Sequence, residues 1–306
     1  MTRHLLLRFL FTLPSLWLIL TMVFLLVHIV PGDPVQQMLG EGARAEDLQQ
    51  LRHALGLDRP LHVQYGRYLA GLLRGDWGQS FRFQSPVLRV VLERYPATLE
   101  LALVGLLVCA AIGIPAGVMA AQRRGQPADR AVGFLTLLGL SVPNFALGPV
   151  LILVFSIQLG WLPVSGRGGP ANLLLPGVTL GAALAAILTR MVRSSMIEEL
   201  SSDYVRTARA KGLPEFAVLF RHAFRNALIP VITILGLQFG TLLAGTIVTE
   251  TIFSWPGIGR LTVQAIAARD FPLLQGCILV IASSYVVVNL VTDFLYALVD
   301  PRVRLQ

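Results

Sequence analysis

Long apolar runs separated by short polar ones set the first constraint on this chain. Six stretches, 9–30, 97–121, 131–158, 173–193, 227–252 and 273–297, are each long enough to cross a hydrocarbon core of ~30 Å, which takes about 20 helical residues. Only helices or closed barrels satisfy their own backbone in lipid, so the pattern predicts an all-α polytopic fold with six transmembrane helices. Between the first two runs lies a long polar loop, 31–95, in which turn residues bracket short helices such as the amphipathic stretch LHVQYGRYLAGLL at 61–73. The expected division is therefore 1–94, an N-terminal membrane helix with an extracytoplasmic loop subdomain, and 95–306, a five-helix core.

Composition agrees with that division. The 306 residues are 55% hydrophobic and only 14% charged, with mean hydropathy +0.68, far more apolar than an average soluble domain. The first run follows Arg3 and Arg8, as a signal peptide would, but it exceeds a normal apolar core of one and no A-x-A-like site precedes Pro31, so it is expected to stay as an uncleaved anchor. Arg3, Arg8, Arg123, Arg124, Arg130, the basic insert after the fourth run, Arg302 and Arg304 all fall on one side of the predicted topology, which places both termini in the cytoplasm. The loop at 31–95 also holds arginines, but long loops escape this rule. Membrane flanks account for the net charge of +8, and no aromatic-interleaved basic surface suggests nucleic acid.

The most informative segment is the polar insert at about 194–226. Ser202 or Asp203 suits a helix N-cap, Gly212 suits the left-handed residue after a helix end, and Pro214 pre-sets a second helix. In that second helix Phe216, Leu219, Phe220, Ala223 and Ala227 recur with helical spacing, an apolar face available for burial. Two short helices meeting at a sharp bend make a docking surface.

At Arg206, Thr207, Ala208 and Gly212 the insert resembles the cytoplasmic E-A-A-x-x-x-G loop of ABC importer permeases. Gly212 matches the anchoring glycine, and His222 to Arg225 stand where the family carries I-x-L-P. The PGDP, LGLDRPL and GDWGQSF blocks, RYPATLEL at 94–101, SVPNFALG at 141–148, RSSMIEELSSDYVRTARAKG at 193–212, ETIFSWPGIGRL at 250–261 and YALVDPRVR at 296–304 extend the resemblance over nearly the whole chain. They resemble the dipeptide, oligopeptide and nickel branch of binding-protein-dependent transport system permeases, with a type I importer fold. The resemblance implies a second homologous permease, two ABC ATPase subunits that bind ATP and magnesium, and a periplasmic or lipid-anchored substrate-binding protein. It also implies import across the bacterial inner membrane of a di- or oligopeptide, or alternatively of nickel, glutathione or an oligosaccharide.

On that resemblance Gly212 makes the bend, Ala208 and Ala210 allow close approach of an ATPase, Phe216 and Phe220 anchor it, and Arg206, Thr207, Arg209, Arg221, His222 and Arg225 complete the contact. Trp77, Trp255 and Arg260 are candidates for the binding-protein side, with both tryptophans expected to be exposed. Lys211 is the single lysine, and no G-x-x-x-x-G-K-[ST] loop is present, so the chain is not expected to hydrolyse ATP. Histidines 4, 28, 53, 62 and 222 lack metal-ligand spacing, Cys109 and Cys277 lie far apart within spans, and no cofactor is expected. Glu100, Glu250, Arg190 and Asp293 fall near span ends, where interfacial hydration suffices. Prolines 115, 143 and 149 with nearby glycines are expected to interrupt the second and third spans. An ion-coupled secondary transporter is the rival from another class, but the matching repeats and midplane carboxylate it needs are not visible.

Overall fold

The computed structural model describes residues 2–29, 34–39 and 42–299. Among the described residues there is no β-strand, only an isolated bridge between Gln79 and Pro86. α1 (Thr2–Ile29) leads to the loop helices α2 (Pro34–Leu39), α3 (Ala45–Leu55) and α4 (Leu61–Leu73). The core follows as α5 (Val87–Gln122), α6 (Pro127–Ser141), α7 (Asn144–Leu151), α8 (Pro170–Leu200), α9 (Asp203–Ala210), α10 (Glu215–Ala217), α11 (Arg225–Gly245), α12 (Ile247–Ile252), α13 (Ile258–Ala267) and α14 (Phe271–Val299). Two π-helical segments continue α7 (Ile152–Gln158) and join α10 to α11 (Val218–Phe224). Residues 31–33 of the PGDP block, together with Arg302 and Arg304, lie outside the described residues.

Among the described residues four helices are long and apolar enough to cross a membrane: Val87–Gln122, Pro170–Leu200, Glu215–Gly245 and Phe271–Phe294. The span expected at 131–158 is interrupted, as its prolines implied: it is a broken pair, α6 and α7 with its π-helical continuation, meeting at 100°. Val142 precedes Pro143 and is held extended at ψ 113°, and Pro143 at ψ 143° follows it, so neither residue continues the helix. The second span is not interrupted, since α5 runs through both Pro96 and Pro115. The expected run at 9–30 falls on α1, whose described apolar stretch Thr12–Leu25 is shorter than the ~20 residues of a full crossing. The run at 227–252 is divided between α11 and the short α12.

α5 and α8 form the central pair. Small residues let the two backbones close: a Cβ on Gly113 would lie 2.9 Å from Leu188, and one on Gly117 2.6 Å from Val192. Van der Waals contact of this kind takes the place, in lipid, of the hydrophobic drive that packs helices in water. Leu188, Val192 and Met196 continue this seam to the end of α8, where Val205, Ala208, Val218, Leu219 and Ala223 join it.

The loop that precedes α5 is tied to the core through one buried carboxylate. Asp270 accepts from the Ser80 hydroxyl and the Arg82 amide, and its other oxygen accepts from the Leu273 amide at the start of α14. Trp77 and Phe83 pack beside Val87, Val91, Ile258 and Leu273. The boundary expected at Arg94 falls inside α5.

Candidate functional site

The insert is built on a helix stop that its sequence encodes. Gly212 takes φ +75°, the left-handed region. Its amide donates to the Arg209 carbonyl at 2.9 Å, and the next amide, of Leu213, reaches the Ala208 carbonyl at 3.4 Å. These are the paired bonds of a Schellman stop, and Pro214 then prevents the helix from resuming. Ser202 is the N-cap residue of α9, as expected, but its hydroxyl turns back to the Glu199 carbonyl instead of capping. Arg209 spans the bend and grips Glu215 with two bonds, 2.7 and 3.2 Å, a bidentate pair that holds the two arms at a set angle. The same hydrogen bond raises the pKa of Arg209 above its ordinary value.

The two arms present different faces from those the periodicity suggested. Val218, Leu219, Ala223 and Ala227 are buried against α8, whereas Phe216 is 72% and Phe220 43% exposed. The phenylalanine rings pack against each other, tilted by 40° with centroids 4.7 Å apart. The cause is the π-helical turn over Val218–Phe224, whose wider winding puts Val218 and Ala223, five apart, on one buried side. On the first arm Ala208 is 5% exposed and packs inward, so it does not offer a close-approach surface. Ala210, Arg206 and Thr207 face outward, as do Arg221 and Arg225, while His222 is half-buried. Arg209 is committed to Glu215.

Tyr204, which the sequence analysis did not single out, stitches the base of the insert. Its hydroxyl donates to Glu199 at the end of α8 and accepts from the Asn226 side chain, 3.0 Å away, at the start of α11. Desolvation, with Glu199 adding to it, raises the phenol's pKa. The insert is therefore fastened at both ends to a membrane helix, α8 on one side and α11 on the other.

A second constellation lies in the ETIFSWPGIGRL block. Glu250 is fully buried, not interfacial. One of its oxygens, Oε1, accepts from the Thr98 and Thr246 hydroxyls at 2.8 and 2.9 Å, and Oε2 accepts from the Arg260 amide at 2.8 Å. Thr98 also accepts the Ile258 amide, which ties α5 to α13. Gly257 and Gly259 are required by this contact, since a Cβ on Gly257 would lie 2.2 Å from Oε1. Trp255 corrects its expected exposure: it is wholly buried and its indole N–H donates to the Ala97 carbonyl at 2.8 Å. A Trp in a bent turn beside α5 finds both an apolar slot and a carbonyl partner there, so the ring is taken out of contact with any binding protein. Arg260 is half-buried, with Nη1 donating to the Ser254 carbonyl, and Trp77 is half-buried too. Among the described residues no group of three or more His, Cys, Asp or Glu could hold a metal ion.

Comparison with known proteins bears on this geometry. A family model described as "Binding-protein-dependent transport system inner membrane component" matches residues 113–305, and its N-terminal companion matches residues 1–102. A glutathione transport system permease protein, GsiC, from Salmonella paratyphi A is 43% identical over 304 residues, 99% of both chains. The protein of the same name from Escherichia coli strain K12 is 42% identical over the same extent. Among solved structures, an inward-facing methionine ABC transporter, MetNI, superposes with TM-score 0.58 at 17% identity, covering 70% of this chain and 97% of that one. An amino acid ABC transporter solved with histidines superposes with TM-score 0.51, also at 17% identity, over 70% and 94%. At this identity the structures speak for the fold.

Proposed function

The chain belongs to the binding-protein-dependent transport system inner membrane component family; it is a permease subunit of an ABC importer, and from that premise we propose that its insert receives the stroke of a separate ATPase subunit. The observation that carries this is the split of the insert into two faces. Val205, Ala208, Leu219 and Ala223 are spent on the protein's own core, while Phe216 and Phe220 remain as a solvent-facing aromatic pair flanked by Arg221. An exposed aromatic pair on a rigid bend is the anchor that a cleft in a partner would fill. Because the insert joins α8 to α11 directly, a push on it acts on two spans at once. Closure of two ATPases on ATP would then shift the balance between inward-open and outward-open states of this chain and a homologous second permease. In this reading the insert and both termini are cytoplasmic.

Photocrosslinking tests the partner. A benzophenone placed on Ala210→Cys in native membranes is expected to capture a P-loop ATPase. Cys109 and Cys277 are wholly buried, so the label reports the introduced thiol. Repeated capture of lipid alone, in protein that still transports, would overturn the coupling role.

For cargo we propose a small peptide, glutathione or a di- or oligopeptide. The 43% identity to a permease named for glutathione, over the full chain, supports this class. Vesicles holding the assembled importer, supplied with ATP and its binding protein, are expected to accumulate labelled glutathione, with unlabelled dipeptides competing. Uptake of nickel or an oligosaccharide without any peptide would reject the cargo and leave the coupling role standing.

A further inference from the structure

A cavity of about 310 Å³ opens between the start of α6 and the last third of α8, with Asp129, Arg130, Thr136, Leu137, Arg190 and Arg193 in its wall. Its charges are unevenly matched. Arg193 is bound by both oxygens of Asp129, at 2.6 and 2.8 Å, and Asp129 also accepts the Gly125 amide. That exhausts the one carboxylate. Arg130 and Arg190 are exposed and have no ion-pair partner among the described residues.

The position along the helices is as informative as the charge. α8 has 31 residues, roughly 46 Å of helix against a hydrocarbon core of ~30 Å, so part of it must stand outside the core. Arg190 lies 20 residues beyond Pro170, about 30 Å along the helix, and is the first charged residue of α8. On α6, Arg130 is followed at once by an apolar run whose Phe134, Leu135, Leu137 and Leu138 are all exposed. Two unpaired guanidiniums therefore sit beside an exposed apolar strip of α6.

We propose that this cavity binds the headgroup of an anionic phospholipid, with its phosphate between Arg130 and Arg190 and an acyl chain along the exposed face of α6. Guanidinium forks match phosphate oxygens bidentately, and basic pockets between membrane helices attract anionic headgroups. The hydrocarbon-facing wall selects a lipid over free phosphate, because a free anion gains nothing from Leu137 and its exposed neighbours. A lipid seated there clips α6 to α8, the helix that leads into the insert. The site does not depend on the cargo.

The full-length chain with its partner subunits, in phosphatidylcholine nanodiscs titrated with phosphatidylglycerol, provides the test. Native mass spectrometry is expected to show retained phosphatidylglycerol on the wild type. In the Arg130→Gln/Arg190→Gln variant retention should weaken about 30-fold, roughly fivefold for each lost charge. Arg130→Lys/Arg190→Lys should keep most of it. Arg193 is left intact because it holds Asp129. If the double variant fails to assemble, each single Gln variant gives its own reading of about fivefold. Equal retention by wild type and Gln variants overturns the proposal. Inorganic phosphate that displaces the lipid overturns it too, since the site would then be one for free anions.

Discussion

Gly212→Val is expected to lower ATP-driven uptake by at least about tenfold, a change of roughly 1.4 kcal/mol in coupling, while the protein still inserts and accumulates in the membrane. A Cβ at this position would meet nothing within 4 Å, so the effect does not come from a clash. It comes from φ +75°, where a left-handed residue with a side chain costs about 1–2 kcal/mol and a β-branched one more. The strain is relieved by leaving the left-handed region, which breaks the hydrogen bonds donated by the Gly212 and Leu213 amides and releases the angle that Arg209 and Glu215 hold. Phe216 and Phe220 then point elsewhere. Membrane insertion rests on the spans and the α5 and α8 seam, which this change does not touch. Gly212→Asn, which tolerates the left-handed region, should retain most uptake. Uptake assays in energised vesicles, with membrane levels read by immunoblot, check both variants. Undiminished uptake by the Val variant would mean that coupling does not pass through this bend.

Glu250→Leu is expected to be the most destabilising single change in the core. It leaves the Thr98 and Thr246 hydroxyls and the Arg260 amide without their acceptor. Each buried donor left unmade costs about 1–3 kcal/mol, so the total is about 3–9 kcal/mol, a large part of what holds a membrane domain together. Glu250→Gln keeps one oxygen, which can still serve the two threonines, and turns an NH2 toward the Arg260 amide, so it should lose about 1–3 kcal/mol. Thermal unfolding of the purified complex in detergent should rank wild type above Gln and Gln above Leu. A Leu variant as stable as wild type would show that the carboxylate does not organise the ETIFSWPGIGRL turn.

The insert was largely legible because its signals are local. A glycine after a helix and a proline two residues on declare a stop whatever lies around them, and the bend appears at Gly212 as the residues imply. What could not be read was which half of the apolar face is covered. Phe216, Leu219, Phe220 and Ala223 share one periodicity, yet Leu219 and Ala223 meet α8 while the two phenylalanines meet solvent. That choice depends on a π-helical turn and on the helix opposite, neither of which has a composition signal.

Glu250 and Trp255 show the same limit more sharply. An acid near the end of an apolar run, followed by a tryptophan in a Pro-Gly turn, has the composition of a membrane interface. Here the run ends early, at Gly245, and the short α12 with the turn after it carries both residues into contact with α5. The paired glycines at 257 and 259 were the available clue, since they mark a close backbone approach, but nothing local says that a carboxylate 152 residues away from Thr98 is what approaches.

Hydropathy and turn chemistry by themselves determined that this is a helical membrane protein and where its polar insert bends, because each of those follows from the transfer of a segment or from the backbone freedom of a single residue, while the family was legible only through the resemblance of its sequence blocks. Only the tertiary structure decided that the second span stays whole through Pro115, that Trp255 is buried, that Arg209 is clamped and that Arg130 and Arg190 stand unpaired beside a satisfied Asp129. Those outcomes turn on which partner each group finds in space, and a buried charge or indole takes its free energy from that partner, not from its own position in the chain.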